Sequence, residues 1–171
     1  MEQHRVKYFA YGSNMHLSRM RERVPSCRII GTANLPGYAL RFHKRSIDGS
    51  GKCNAFFTGK SSDTLYGVIY AIATHEKRAL DNAEFLGNGY EEVDVQVVSD
   101  QTTISILTYV AEPRFIDNTL KPYRWYKQFV MEGARSHRLP ETYLQAIQAV
   151  GAVRDPDLER AEQNFRILNG T

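Results

Sequence analysis

The sequence predicts an α+β chain, with a mostly antiparallel sheet or barrel ahead of a helical C-terminal third. Three observations predict it. Strand-like runs follow one another through residues 28–72 with turns between them, whereas a doubly wound parallel sheet needs a helix between successive strands. The stretch EEVDVQVV alternates polar and apolar residues, and TTISILTYVA follows as its hairpin partner. From Tyr123 onward the apolar spacing becomes that of helices.

Val6 to Tyr11 is short, aromatic and β-prone, and Gly12 ends it ahead of Ser13 and Asn14, both good helix N-caps before MHLSRMRERV. This reads as strand, tight loop, helix. Met15, Leu17, Met20 and Val24 cover one side of that helix, and Arg19, Arg21 and Arg23 project outward as a solvated face. CRIIGTANLPGYALRFHKRS gives two strands around a Pro-Gly turn. DGSGKCNAFFTGKSSDTLYGVIYAI gives a glycine-rich loop, a short strand, a second turn and a strand from Leu65 to Ile72.

Thr74 caps a helix from His75 to about Ala83, which Gly87 and Gly89 break. In the alternating strand Val93, Val95 and Val97 share one face, while Glu92, Asp94 and Gln96 take the wet one. Helical patterns then cover Tyr123 to Ala134, Pro140 to Val150 and Pro156 to Leu168, with the prolines in first turns and Asp155 as an N-cap. No repeat or linker divides the chain. One domain over residues 1–171 is expected, its C-terminal helix 156–168 packing on the rest.

Composition narrows the function. The 22 Lys and Arg against 19 Asp and Glu leave a charge of +3, too small for a nucleic-acid footprint without clustering. A basic module built on Arg19, Arg21, Arg23 and Arg28 therefore ranks last. No apolar run approaches the ~18 residues of a membrane span, and MEQHRVKYF lacks a secretory apolar core, so a cytoplasmic protein without membrane contact is expected. Cys27 and Cys53 fit no CxxC spacing and the histidines no HExxH, so inert thiols and no metal are expected.

Two places can carry chemistry. A strand that turns into a helix at Tyr11, Gly12, Ser13 and Asn14 offers unpaired N–H groups and the positive end of a helix dipole, suited to a carboxylate or an oxyanion. A plain structural turn fits the same residues. Glu84 follows an apolar-patterned helix beside Phe85 and Leu86, and apolar surroundings raise a carboxyl pKa towards the range of a proton carrier. A solvated helix end is its ordinary alternative. Ser13 lacks the GxSxG context of a nucleophile, and Tyr90, Tyr109 and Tyr126 read equally as core or as pocket lining.

Four stretches in order, YFAYGSNM, YGVIYAI, LDNAEFLGNGYEEVDVQV and WYKQFVMEGARSHRLPETY, resemble the γ-glutamylcyclotransferase family, also called AIG2-like, from about Tyr8 to Val150. The resemblance implies a small, mostly antiparallel β-barrel with helices packed around it. It implies conversion of a γ-glutamyl amide with a free α-amine into 5-oxoproline and a released amine, without metal or cofactor. By the same resemblance Glu84 is the catalytic acid and base, and Tyr8, Phe9, Ala10, Tyr11, Gly12, Ser13 and Asn14 form the glutamyl-binding segment. Tyr90, Tyr109 and Tyr126 match the family's pocket tyrosines. The expected partner is a small-molecule γ-glutamyl substrate, with a homodimer left open. The acidic pair after Tyr90 and the short loop Ile47 to Cys53 depart from the family and leave the leaving group open. A non-catalytic pocket protein that binds a γ-glutamyl or other carboxylate ligand is the alternative.

Overall fold

The aromatic N-terminal run forms strand β1 (Arg5–Ala10) in the computed structural model, which describes residues 4–170. β2 (Arg28–Pro36) and β3 (Tyr38–Arg45) follow on either side of Gly37, whose φ of 79° suits a turn that glycine alone makes without strain. β4 (Gly51–Phe57), β5 (Thr64–Ala73), β6 (Tyr90–Ser99) and β7 (Thr102–Ala111) complete the strands. β1, β5, β2, β6 and β7 close into a barrel in that order. All its neighbours are antiparallel except β7 with β1, which pair in parallel at Tyr8 and Leu107. The expected α+β barrel is therefore present, with helices around it.

The two strands around Gly37 do not pair with each other. β2 enters the barrel, while β3 pairs with β4 in a separate two-stranded sheet. Sequence adjacency suggests a hairpin, but a chain can leave one sheet for another at a turn, and only packing decides which. The β6–β7 hairpin is as expected. Ser99 faces Thr102 across Asp100 and Gln101, both with positive φ, which matches the right-handed twist of the strands. Val95 and Val97 are buried and Val93 partly so, while Glu92, Asp94 and Gln96 are exposed.

Helix α1 (Leu17–Arg23) is separated from β1 by a single 3-10 turn, Ser13–Met15, with Gly12 as its cap. Neither Ser13 nor Asn14 caps α1, because His16 in extended conformation intervenes. A turn so short has little dipole, so anion binding there rests on local N–H groups. Thr74 likewise caps nothing with its side chain. It opens a 3-10 turn ahead of α2 (Lys77–Ala83), and its hydroxyl donates to the His4 carbonyl.

α3 (Arg124–Ser136) buries Trp125, Tyr126, Phe129, Val130 and Ala134 against the core, each large side chain contributing about 1.5–3 kcal/mol. A Cβ on Gly133 of α3 would stand 2.7 Å from Met15 Cβ, so glycine lets the 3-10 turn lie directly on this helix. α4 (Glu141–Ala149) and α5 (Leu158–Asn169) follow. Pro140 is the cap of α4 and not its first residue. For α5 the cap is Asp157, whose carboxylate accepts from Arg160 N at 2.9 Å. Asp155, the expected cap, instead accepts from Trp125 Nε1 at 2.9 Å and pairs with Arg160, tying α5 to α3.

Candidate active site

β1 carries Tyr8, the residue after it is Tyr11, and the 3-10 turn that follows brings Ser13 and Asn14 to the same niche. The side chain of Asn14, buried in this turn, donates from Nδ2 to Glu84 Oε1 at 2.7 Å and to the Tyr8 hydroxyl at 3.1 Å. Its Oδ1 accepts from Arg23 Nη1 at 2.8 Å, and the same Nη1 lies 2.9 Å from Glu84 Oε1. Glu84 thus has one oxygen fixed by a cation and an amide, while Oε2 has no protein partner among the described residues.

The end of α2 sets the direction of that carboxylate. Phe85 N bonds Asn82 O and Leu86 N bonds Asp81 O, with Phe85 left-handed at φ 52°, which is a Schellman ending built without glycine. A non-glycine residue there costs about 1–2 kcal/mol. The stop comes two residues before Gly87, so the helix ends at Glu84 itself. Phe85 and Leu86 are 47% and 38% exposed, and the apolar surround expected for Glu84 is replaced by Arg23 and Asn14.

Tyr8, Tyr11, Tyr90, Tyr109 and Tyr126 line a narrow niche of about 30 Å³ with Gly12, Ser13, Asn14, Cys53 and Glu84. Three of these phenols are anchored on backbone: Tyr11 donates to Tyr109 O, Tyr90 donates to Cys53 O, and Tyr126 accepts from Cys53 N at 3.0 Å. Tyr109 donates to Asp81 at 2.6 Å. Burial pushes all five phenols up in pKa and the Cys53 thiol up to about 12, so they act as neutral groups. A Cβ on Gly12 would stand 3.1 Å from Cys53 Cβ, a close approach that glycine accommodates.

A vestibule of about 340 Å³ adjoins the niche and shares Ser13, Glu84, Tyr90 and Tyr126 with it. Its cations are Arg19, Arg23, Lys44, Lys52 and Arg160. Arg19 is no solvated residue: Nε donates to Ser13 Oγ at 3.0 Å and Nη1 to Asn164 Oδ1 at 2.9 Å, over the rings of Trp125 and Phe129. Burial pulls it down to about 10. Lys52 pairs with Asp48 at 2.7 Å, and burial among rings lowers it to about 8.

Of the expected site residues, Tyr8, Tyr11 to Asn14, Glu84, Tyr90, Tyr109 and Tyr126 meet at this niche. Phe9 and Ala10 do not line it; they are fully buried in the barrel, where Phe9 and the Ala10 carbonyl crowd Gly67. Arg19, Arg23, Lys44 and Cys53 were missed. Arg19 and Arg23 stand four apart, hence on one face of α1, and that spacing separates them from the exposed Arg21. Among the described residues no three His, Cys, Asp or Glu are grouped to hold a metal, and no helix is long and apolar enough to cross a membrane.

Residues 64–147 match the AIG2-like family model. The human protein named γ-glutamylcyclotransferase is 27% identical over 149 residues, covering 84% of this chain and 77% of that one. A solved structure named γ-glutamyl cyclotransferase superposes with a TM-score of 0.80 at 22% identity, over 94% of this chain and 99% of the other. The crystal structure of a human protein described as uncharacterized gives 0.79 at 24% identity, over 91% and 96%. At these identities the two structures speak for the fold alone.

Proposed function

The chain belongs to the γ-glutamylcyclotransferase, AIG2-like family, and we propose that it cyclises a γ-glutamyl amide to 5-oxoproline with release of an amine. One observation carries the reading: Glu84 stands where niche and vestibule meet, held through Oε1 by Arg23 and Asn14, with Oε2 unpartnered among the described residues and Gly12 and Ser13 lining the same niche. The curated human relative, named for this activity, supports it.

The steps follow from the residues. Glu84 Oε2 takes a proton from the substrate's α-ammonium, and the freed amine attacks the γ-carbonyl carbon of the same molecule. Bending the glutamyl chain in the niche removes much of the entropic barrier to this ring closure. The backbone N–H groups of Gly12 and Ser13, at the start of a helical turn, meet the oxyanion that forms, at about 3 kcal/mol per good donor. The amide C–N bond then breaks as the departing nitrogen takes its proton from Glu84, and the ring nitrogen, still carrying two hydrogens, sheds one through the same carboxylate, so that both protons lost by the α-ammonium end on the released amine. No water is consumed and no covalent enzyme intermediate forms. The neutral tyrosines shape the niche around the reacting atoms, and no metal or cofactor enters the scheme.

Release of 5-oxoproline from a panel of γ-glutamyl amino acids, γ-glutamyl amines and glutathione tests this, with wild type beside Glu84→Gln. The variant is expected to lose about 10²–10⁴-fold in kcat while still binding substrate. Equal turnover by both proteins removes Glu84 from the chemistry, and no product from any member leaves a non-catalytic pocket protein as the better account.

A further inference from the structure

β3 buries Phe42, His43 and Lys44 in succession, although consecutive strand residues point to opposite faces. The pairing supplies the reason. Between Arg41↔Asn54 and Lys44↔Lys52, β3 advances three residues while β4 advances two, so an extra residue bulges out of the ladder. Bulges re-aim side chains. This one accompanies an inward turn of Lys44, which reaches the vestibule wall while the neighbouring His43 is held by Asn54 and Asn118.

Lys44 is 4% exposed, and among the described residues its ammonium has neither an ion pair nor a hydrogen bond. It lies 4.6 Å from the centre of the Tyr90 ring and 5.9 Å from that of Phe115. Room for it depends on Gly89, where a Cβ would stand 2.6 Å from Nζ. Burying an uncompensated ammonium is costly, and burial lowers the Lys44 pKa while Glu84 pulls it back up.

The other vestibule cations are better provided for. Arg23 pairs with Glu84, Lys52 with Asp48 and Arg160 with Asp155, whereas among the described residues Arg19 bonds only the neutral Ser13 and Asn164. Two positive charges, on Arg19 and Lys44, therefore lack a carboxylate. Lys44 lines the vestibule and not the niche, so it faces the part of a ligand beyond the reacting atoms.

We propose that Lys44, assisted by Arg19, binds an anionic group on the leaving half of the substrate. The inference rests on the cyclotransferase reading of the same site. It selects γ-glutamyl compounds whose released amine carries a carboxylate over γ-glutamyl amines that carry none. Lys44 is then a specificity residue, taking no part in the proton transfers.

The test compares γ-glutamylglycine with γ-glutamyl methylamide, which share the scissile amide and differ in the carboxylate, on wild type and Lys44→Met. Wild type is expected to favour γ-glutamylglycine at least tenfold in kcat/KM. Lys44→Met should abolish that preference through KM and leave the methylamide unchanged, a split that general damage to the fold would not produce. Lys44→Gln serves as a second variant, and thermal melts confirm that both are folded. No preference in wild type, or equal losses on both substrates, overturns the proposal. If wild type releases 5-oxoproline from neither of these nor from any other member of the panel, the cyclotransferase reading fails instead. Calorimetric titration of the same two compounds then decides the subsite alone: carboxylate-dependent binding that needs Lys44 upholds it, and its absence overturns it.

Discussion

Arg23 Nη1 stands 2.9 Å from Glu84 Oε1, joining α1 to the end of α2 across 61 residues of chain. The same nitrogen donates to Asn14 Oδ1 at 2.8 Å, so one guanidinium aligns both polar groups that border the niche. Positioning of this kind governs rate more than binding, because a small misplacement of a proton carrier is felt in the reacting geometry. Arg23→Met is expected to lower kcat about 10- to 100-fold with little change in KM. Arg23→Lys, which keeps a donor and a charge, should restore part of it. Steady-state kinetics on any substrate that releases 5-oxoproline checks this, and an unchanged kcat in Arg23→Met would remove Arg23 from the site's alignment.

The peptide groups of Cys53 are satisfied by tyrosines rather than by a strand neighbour: Tyr126 accepts from its N–H and Tyr90 donates to its carbonyl. Removing one hydroxyl leaves a buried backbone group unpaired, at about 1–3 kcal/mol. Tyr126→Phe and Tyr90→Phe should each lower the unfolding free energy by that amount in denaturant titrations. Undiminished stability in both would mean that water or a shifted backbone takes the place of the phenol.

Gly133 lets α3 carry the 3-10 turn, with Met15 Cβ and His16 N 2.7 and 2.8 Å from where a methyl would be. Gly133→Ala cannot be relieved by a side-chain rotation, since both neighbours belong to or adjoin the backbone. It is expected to destabilise by about 1–3 kcal/mol and to displace Ser13 and Asn14, so that activity falls further than stability does. Thermal melts beside kinetics separate the two, and full activity in a folded Gly133→Ala protein would contradict the coupling.

Asp155 sits against Arg160 and Trp125, and these partners hold its carboxyl down to about 2 from an ordinary 3.8, with the Arg160 hydrogen bonds the largest cause. The folded-state pKa is below the unfolded one, so the stabilisation is fully present above pH 3.8 and is lost as pH falls through about 2. Between pH 5 and 2 the melting temperature of wild type should fall towards that of Asp155→Asn. Parallel curves across that range would show that Asp155 contributes no pH-dependent stability.

Much of this molecule was legible because it is written in local patterns. The alternation in EEVDVQVV fixed a half-buried strand and the change of period at Tyr123 fixed the helical end, while the family resemblance carried by YFAYGSNM and LDNAEFLGNGY, more than their spacing, singled out the loop and the glutamate that meet at the niche. The pairing of β3 with β4, and not with β2, was decided by packing between elements. So were the inward positions of Arg19, Arg23 and Lys44: the sequence sets Arg19 and Arg23 on one face of α1 apart from Arg21, but nothing local says that this face, or Lys44, turns inward. Folding draws these charges inward by different means: Asn14 and Glu84 pair with Arg23, Ser13, Asn164 and aromatic faces receive Arg19, and a strand bulge with room at Gly89 brings Lys44 in against the rings of Tyr90 and Phe115 without a polar partner among the described residues. Most of these groups lie far away along the chain. The sequence by itself therefore determined which segments form strands and helices and which residues could do chemistry, while the tertiary structure alone decided which charges surround them.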